Sequence, residues 1–207
     1  MVAAERAQPV AAGKTPAFTP MGTILGVAVI GIIVFVVGQA FVWTLPPVQA
    51  GSVSAVLGDT QLCNDLEADE DPTGCYIAPF AEGREVGIGF SVRNDAPIGM
   101  TILKADVIRE GVSTPAALEA QLTGEDMLFG LTEGVPFEPF DVPAGGEKGI
   151  QFVGAFGDCE SVAEEWLPGS GLVVSQAFLT VRWGVFTTEV EVPLATALAL
   201  SAPTSCP

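Results

Sequence analysis

Five carboxylates crowd into the stretch Asn64 to Gly74 (NDLEADEDPTG): Asp65, Glu67, Asp69, Glu70 and Asp71. Oxygen ligands at this density suit a hard cation, and Asp65, Glu67, Asp69 and Asp71 are the candidate ligands for calcium. The order is not that of an EF-hand. With Asp65 as the first ligand, Glu70 falls where the loop needs glycine, and Tyr76 where it needs a bidentate glutamate. A solvated acidic loop accounts for the same residues, since runs of like charge usually face water. Other acid pairs, Glu164-Glu165 and Glu189/Glu191, say little in a chain with 25 Asp and Glu. Glu189 and Glu191 alternate with Val190 and Val192, as on the solvent face of a strand.

Four cysteines, Cys63, Cys75, Cys159 and Cys206, make an even count, which in an extracytoplasmic domain favours disulfides. Of the three possible pairings, Cys63–Cys75 and Cys159–Cys206 are expected. The first closes the acidic loop; the second pins the C-terminal end to an earlier connection. A thiolate metal site is disfavoured, because no CxxC occurs and no histidine exists to complete it. The absence of histidine also removes Ser-His-Asp and Cys-His catalysis. No GxSxG, SxxK or P-loop signature occurs. Carboxylates alone leave one enzymatic option, which depends on a cleft that sequence does not show. No catalytic residue and no cofactor other than calcium is therefore expected. A formal net charge of −17 argues against nucleic acid as a partner, since phosphate contacts need Lys and Arg.

These residues need elements to position them. The mean hydropathy of +0.48 conflicts with such acidity unless apolar residues are concentrated, and they are. No charge occurs from Thr15 to Gly58, and residues 21–45 read MGTILGVAVIGIIVFVVGQAFVWTL. A helix of that length rises roughly 37 Å, enough for a hydrocarbon core of about 30 Å. Pro46 and Pro47 stop it, and Trp43 suits the membrane interface. Arg6 and Lys14 precede the segment, and no Lys or Arg follows until Arg84. The positive-inside rule then places the N-terminus in the cytoplasm and the C-terminal domain outside the cell membrane. Val48-Gln49-Ala50 offers small residues for signal cleavage, but the apolar run exceeds the usual signal-peptide core of about 7–15 residues. An uncleaved signal anchor is expected. Gly22 and Gly26 form a GxxxG pair through which a second helix can approach closely.

The expected organisation is a tail (1–20), a transmembrane helix (21–45), a linker with the acidic Cys loop (46–83) and a β-sandwich (84–207). Residues 46–207 hold six basic and 24 acidic residues, a net charge of −18. Val86, Ile88, Phe90 and Val92 alternate with small or polar residues, the period of a half-buried strand. Asn94-Asp95-Ala96-Pro97 reads as a turn. Further strands are expected over 51–57, 100–108 (with an irregularity), 135–142, 149–156, 177–183, 185–192 and 195–200. Gly87 and Gly89 suggest a strand that passes close to something bulky. Thr114 to Leu122 reads as a helix, with a capping threonine, a first-turn proline and good helix formers. Residues 160–166 read as a short helix. Phe129, Phe137 and Phe140 are expected to enter the core more readily than to form a patch.

The fold class is mainly β: an antiparallel immunoglobulin-like β-sandwich preceded by one N-terminal transmembrane helix. The strand pattern of residues 85–207 resembles bacterial extracytoplasmic immunoglobulin-like modules, although the Cys…Trp…Cys spacing of antibody domains is absent. The expected role is non-enzymatic: an interaction or accessory subunit of a membrane or cell-envelope assembly, with the membrane and other envelope proteins as partners. A pilin-like filament subunit and a calcium-binding surface module are the alternatives. This sequence departs from the type IV pilin pattern, because it has no glutamate early in the apolar segment.

Overall fold

The computed structural model describes residues 20–44, 48–63, 74–123, 129–131 and 134–207. They fall into two compact units, Met1–Trp43 and Thr44–Pro207.

Helix α1, which lies in the first unit except for its last residue, runs from Pro20 to Thr44, 25 residues with no acid in the first turn and no base in the last. Valine and isoleucine are mediocre helix formers in water, so propensity does not explain it. A helix does satisfy every interior backbone group within its own segment, the requirement an apolar medium imposes. Side chains are described for residues 26–38 and 40, and every large apolar one from Val27 to Val37 is exposed. Among the described residues no helix is long and apolar enough to cross a membrane. The longest run of described α1 side chains, 26–38, is shorter than the roughly 20 residues a span takes.

The second unit is built from two sheets. The five-stranded sheet has the order β1 (Gln49–Gly58), β4 (Glu85–Arg93), β9 (Glu147–Phe156), β6 (Ala116–Leu122), β7 (Val135–Pro136). The six-stranded sheet has the order β2 (Gln61–Leu62), β3 (Gly74–Ala78), β11 (Phe186–Ser201), β10 (Gly171–Trp183), β5 (Met100–Asp106), β8 (Phe140–Val142). From β4 to β10 the chain repeatedly changes sheet, as in a sandwich. Ile88, Phe90, Phe152 and Ile150 from one sheet and Ile102, Leu179, Leu198 and Leu200 from the other are nearly fully buried. Their period-two spacing is what gives each sheet its apolar face.

Several elements differ from the sequence expectation. Thr114–Leu122 is not a helix: Ala116–Leu122 is strand β6, paired with β9 from Ala116↔Phe156 to Leu122↔Ile150. A nine-residue helix is marginal alone. As a strand the segment satisfies the backbone edge of β9, whose Gly154 lets it approach; a Cβ at Gly154 would collide with the Ala117 carbonyl. Thr114 Oγ bonds locally to Ala116 rather than capping a helix. The 135–142 strand is two, β7 and β8, which belong to different sheets. The sandwich is not wholly antiparallel, because β3 pairs parallel to β11 from Gly74↔Thr196 to Ala78↔Leu200. The segment 46–83 is more than a linker, since β1, β2 and β3 lie in it.

Strand β4 is buried on both faces rather than one. Its outer row of Gly87, Gly89 and Ser91 lets other groups settle onto it. A Cβ at Gly89 would lie 2.3 Å from the Phe129 ring. Beside Gly89 in register stands buried Gln151, whose side chain accepts from Gly130 N (3.1 Å) and donates to Gly130 O (2.8 Å) and Gln121 Oε1 (3.0 Å). The close passage expected at the Gly87/Gly89 pair is therefore the Phe129-Gly130 segment lying on the sheet. Phe140 is buried, whereas Phe129 and Phe137 are half-buried.

The β1–β4 ladder shifts register between Ala50 and Ser54. Glu147 holds this irregularity, accepting from Ser52 N (2.7 Å) and Ser52 Oγ (2.9 Å). Ser91 Oγ accepts from Val53 N (3.0 Å) and has two acceptors in reach, Val53 O (3.3 Å) and the Glu147 carboxylate. The Ser91 hydroxyl first, then Ser52, hold the Glu147 carboxyl below its ordinary 4.5. A depressed folded pKa means stability present above the unfolded value and lost as pH falls through the folded one. Chemical denaturation followed from pH 7 to about pH 3 should show a decline that begins below 4.5. Glu147→Gln should lose stability at neutral pH and show a shallower acid decline. An unchanged acid profile in that variant would refute the assignment.

Candidate interaction face

The outward face of the six-stranded sheet carries a groove of about 420 Å³. Three strands supply it in register. Asp106, Phe178 and Glu191 form one row across β5, β10 and β11; Lys104, Thr180 and Glu189 form the next. Alternation fixes the sidedness, because Ala105, Leu179, Val181 and Val192 point into the core. The irregularity expected in the second strand lies here: Thr180 opposes Lys104 while Val181 opposes Ile102, so Leu103 has no opposite number. Such a bulge re-aims the side chains beside it.

The charges are paired but accessible. Lys104 Nζ lies 3.0 Å from Asp106 and 3.7 Å from Glu110. The hydrogen bond and charge of Asp106, then Glu110, raise the Lys104 pKa above its ordinary 10.5. The Arg109 guanidinium pairs with Glu191 and lies 4.9 Å over the Phe178 ring centroid. All these ionic groups are solvent-accessible, so each pair contributes little to stability and exchanges readily. Glu189 has no ion-pair partner among the described residues.

A second groove of about 160 Å³ shares Ile108, Arg109 and Phe178 with the first and continues it toward Val112, Leu172 and Val173. Val112 and Val173 are 46% and 51% exposed, a small apolar strip on a strongly acidic domain. The combined surface is open and can lodge an extended segment.

The residues singled out in the sequence fare differently. Cys63–Cys75 and Cys159–Cys206 are both formed, with Cα–Cα distances of 5.3 and 5.7 Å. Asp65, Glu67, Asp69, Glu70 and Asp71 lie outside the described residues. Among the described residues no group of three His, Cys, Asp or Glu is arranged to hold a metal ion. The side of α1 at Gly26 is open, with nothing within 4 Å of where a Cβ would stand; the side at Gly22 lies outside the described residues. Glu189 and Glu191 are on the solvent face as expected, and Glu164 and Glu165 are exposed near the end of α2 (Cys159–Glu165), the short helix expected there. Sequence reasoning passed over Lys104, Arg109 and Phe178. A signal existed: two of the six basic residues in 46–207 fall within one strand and its exit.

No family model matches the chain, and no curated protein matches it. Among solved structures the chain has weak likenesses to the cupredoxin domain of amoB from Nitrosocaldus yellowstonii (9% identity, 59% of this chain, 60% of that chain, TM-score 0.28). A second is to the Pseudomonas fluorescens alkylpurine DNA glycosylase AlkC bound to DNA containing an abasic site analog (10% identity, 69% of this chain, 31% of that chain, TM-score 0.22). The chain thus spans less than two thirds of either protein, and at these scores neither likeness carries an argument about what the chain does.

Proposed function

We propose that this chain is a single-pass membrane protein with an extracytoplasmic, immunoglobulin-like sandwich that works as a non-enzymatic interaction or accessory subunit of a membrane or cell-envelope assembly. The observation that carries the reading is α1, whose apolar side chains from Val27 to Val37 all stand exposed on the chain. Exposing that much apolar surface to water is costly, at roughly 25 cal/mol per Å², whereas lipid removes the cost. The open strip beside Gly26 gives a partner helix room to approach.

Retention of the anchor has its own support. Val48 is 5% exposed, and Gln49 and Ala50 pair with Arg93 and Val92. Cleavage after Ala50 would strip a buried residue and two rungs from β1. The alternation of the chain between two sheets supports the sandwich class.

The three lysines supply a test of topology: Lys14 in the tail, Lys104 and Lys148 in the outer domain. A membrane-impermeant amine reagent on sealed cells should modify Lys104 and Lys148, both exposed, and spare Lys14. Membranes washed with alkaline carbonate should retain the chain, and deletion of residues 21–45 should release it. Labelling confined to Lys14, or release of the intact chain by carbonate, would overturn the reading.

A further inference from the structure

We propose that the continuous groove on the outward face of the six-stranded sheet is the docking site for an amphipathic, lysine- or arginine-bearing peptide segment of a partner protein. This deepens the reading of the outer domain as an interaction module. One half of the groove is apolar: Ile108, Val112, Leu172 and Val173. The other half carries Asp106, Glu110, Glu189 and Glu191 against only Lys104 and Arg109. Phe178 joins the halves, lining both.

Charge complementarity selects the occupant. The groove is net negative, and the domain around it has a net charge of −18, so an anionic segment is repelled and a cationic one is steered in. An incoming cation finds Glu189 without an ion-pair partner among the described residues. It can also take the place of Arg109 over the Phe178 ring, since the Arg109–Glu191 pair is exposed and weak. The apolar half lies further toward the start of β10 than the charged half, so a segment with cations at one end and apolar side chains at the other sets the latter toward Val112 and Val173. Successive rows lie two residues apart along β10, about 6.7 Å, the pitch at which an extended segment lying along the strands presents its same-side side chains.

The test uses the full chain in phosphatidylcholine nanodiscs, with empty nanodiscs as the blank. The probe is a fluorescent peptide with a lysine-rich half followed by a valine-rich half, and its counterpart has glutamate for lysine. The lysine peptide should bind saturably and at least about tenfold more tightly than the glutamate peptide. Glu189→Arg and Val173→Asp should each weaken it by about fivefold or more. Glu160→Arg, the same charge change on exposed α2 outside the groove, should alter binding by less than about twofold. Equal losses from Glu189→Arg and Glu160→Arg would show a diffuse acidic field and overturn the site. Indifference to both Glu189→Arg and Val173→Asp, or no excess binding over empty discs, would overturn it as well. None of these results bears on carbonate extraction, so the anchor reading stands or falls separately.

Discussion

Replacing Asn94 by alanine should lower the unfolding free energy of the two-sheet domain by about 3–4 kcal/mol, since each orphaned buried polar group costs about 1–3 kcal/mol. Asn94 is fully buried. Its amide nitrogen stands within hydrogen-bond reach of three carbonyls: Ile98 (2.9 Å), Val142 (3.0 Å) and Pro143 (3.2 Å). Its side-chain oxygen accepts from Ala96 N at 3.0 Å, which forms the turn expected after β4. The Asn94 backbone also bonds to Gly145 and Gly146. The side chain thus ties the end of β4, in the five-stranded sheet, to the end of β8, in the six-stranded one. Alanine removes the side-chain donor that serves these three carbonyls and leaves an empty space behind.

Asn94→Asp separates polarity from shape. At neutral pH a carboxylate would face three carbonyl oxygens, so this near-isosteric change should cost at least as much as alanine. Burial and those carbonyls raise the folded pKa of such a group. Its penalty therefore grows as pH rises through the unfolded value, about 3.9, and is partly relieved on acidification. Urea denaturation of the three proteins at pH 7 and near pH 4 would read this. An alanine variant within about 1 kcal/mol of wild type would refute the corner assignment.

The second large effect is expected from Cys159→Ser/Cys206→Ser, which should remove about 4 kcal/mol on a loop-entropy estimate for a separation of 47 residues. For a domain of this size that corresponds to a fall in Tm of roughly 10 °C. The cross-link sits where the chain most needs one. Cys159 opens α2 and is buried, and Cys206 is the penultimate residue. Around it, Ala202 N bonds to Ser170 O (2.8 Å) and Gly169 N to Pro203 O (3.3 Å), so the terminus closes the entrance to β10. Asp158 caps α2 by accepting from Ser161 N at 2.9 Å, and that bond holds its carboxyl below the ordinary 3.8. Removing Cys63–Cys75 should cost less, about 1 kcal/mol less on the same estimate, because its separation is only 12 residues. Thermal scans of both double variants check the order; a larger effect from Cys63–Cys75 would contradict it.

The sequence alone was enough wherever the physics is local. Period-two alternation marked β4, β9 and the β10–β11 hairpin, because side-chain direction in a strand depends only on parity. Asn94 announced a turn, because its side chain bonds two residues on. The cysteine pairs followed from the even count and the spacing. Tertiary structure alone decided what pairing partners decide. Thr114–Leu122 carries helix-forming residues and became β6, because the unsatisfied edge of β9 outweighs a weak local preference. Residues 135–142 split because Val135–Pro136 meets β6 while Phe140–Val142 meets β5. The groove was beyond reach for the same reason. Lys104, Phe178 and Glu189 become neighbours only through the register of three strands, and register is set by how two distant apolar faces close on one core.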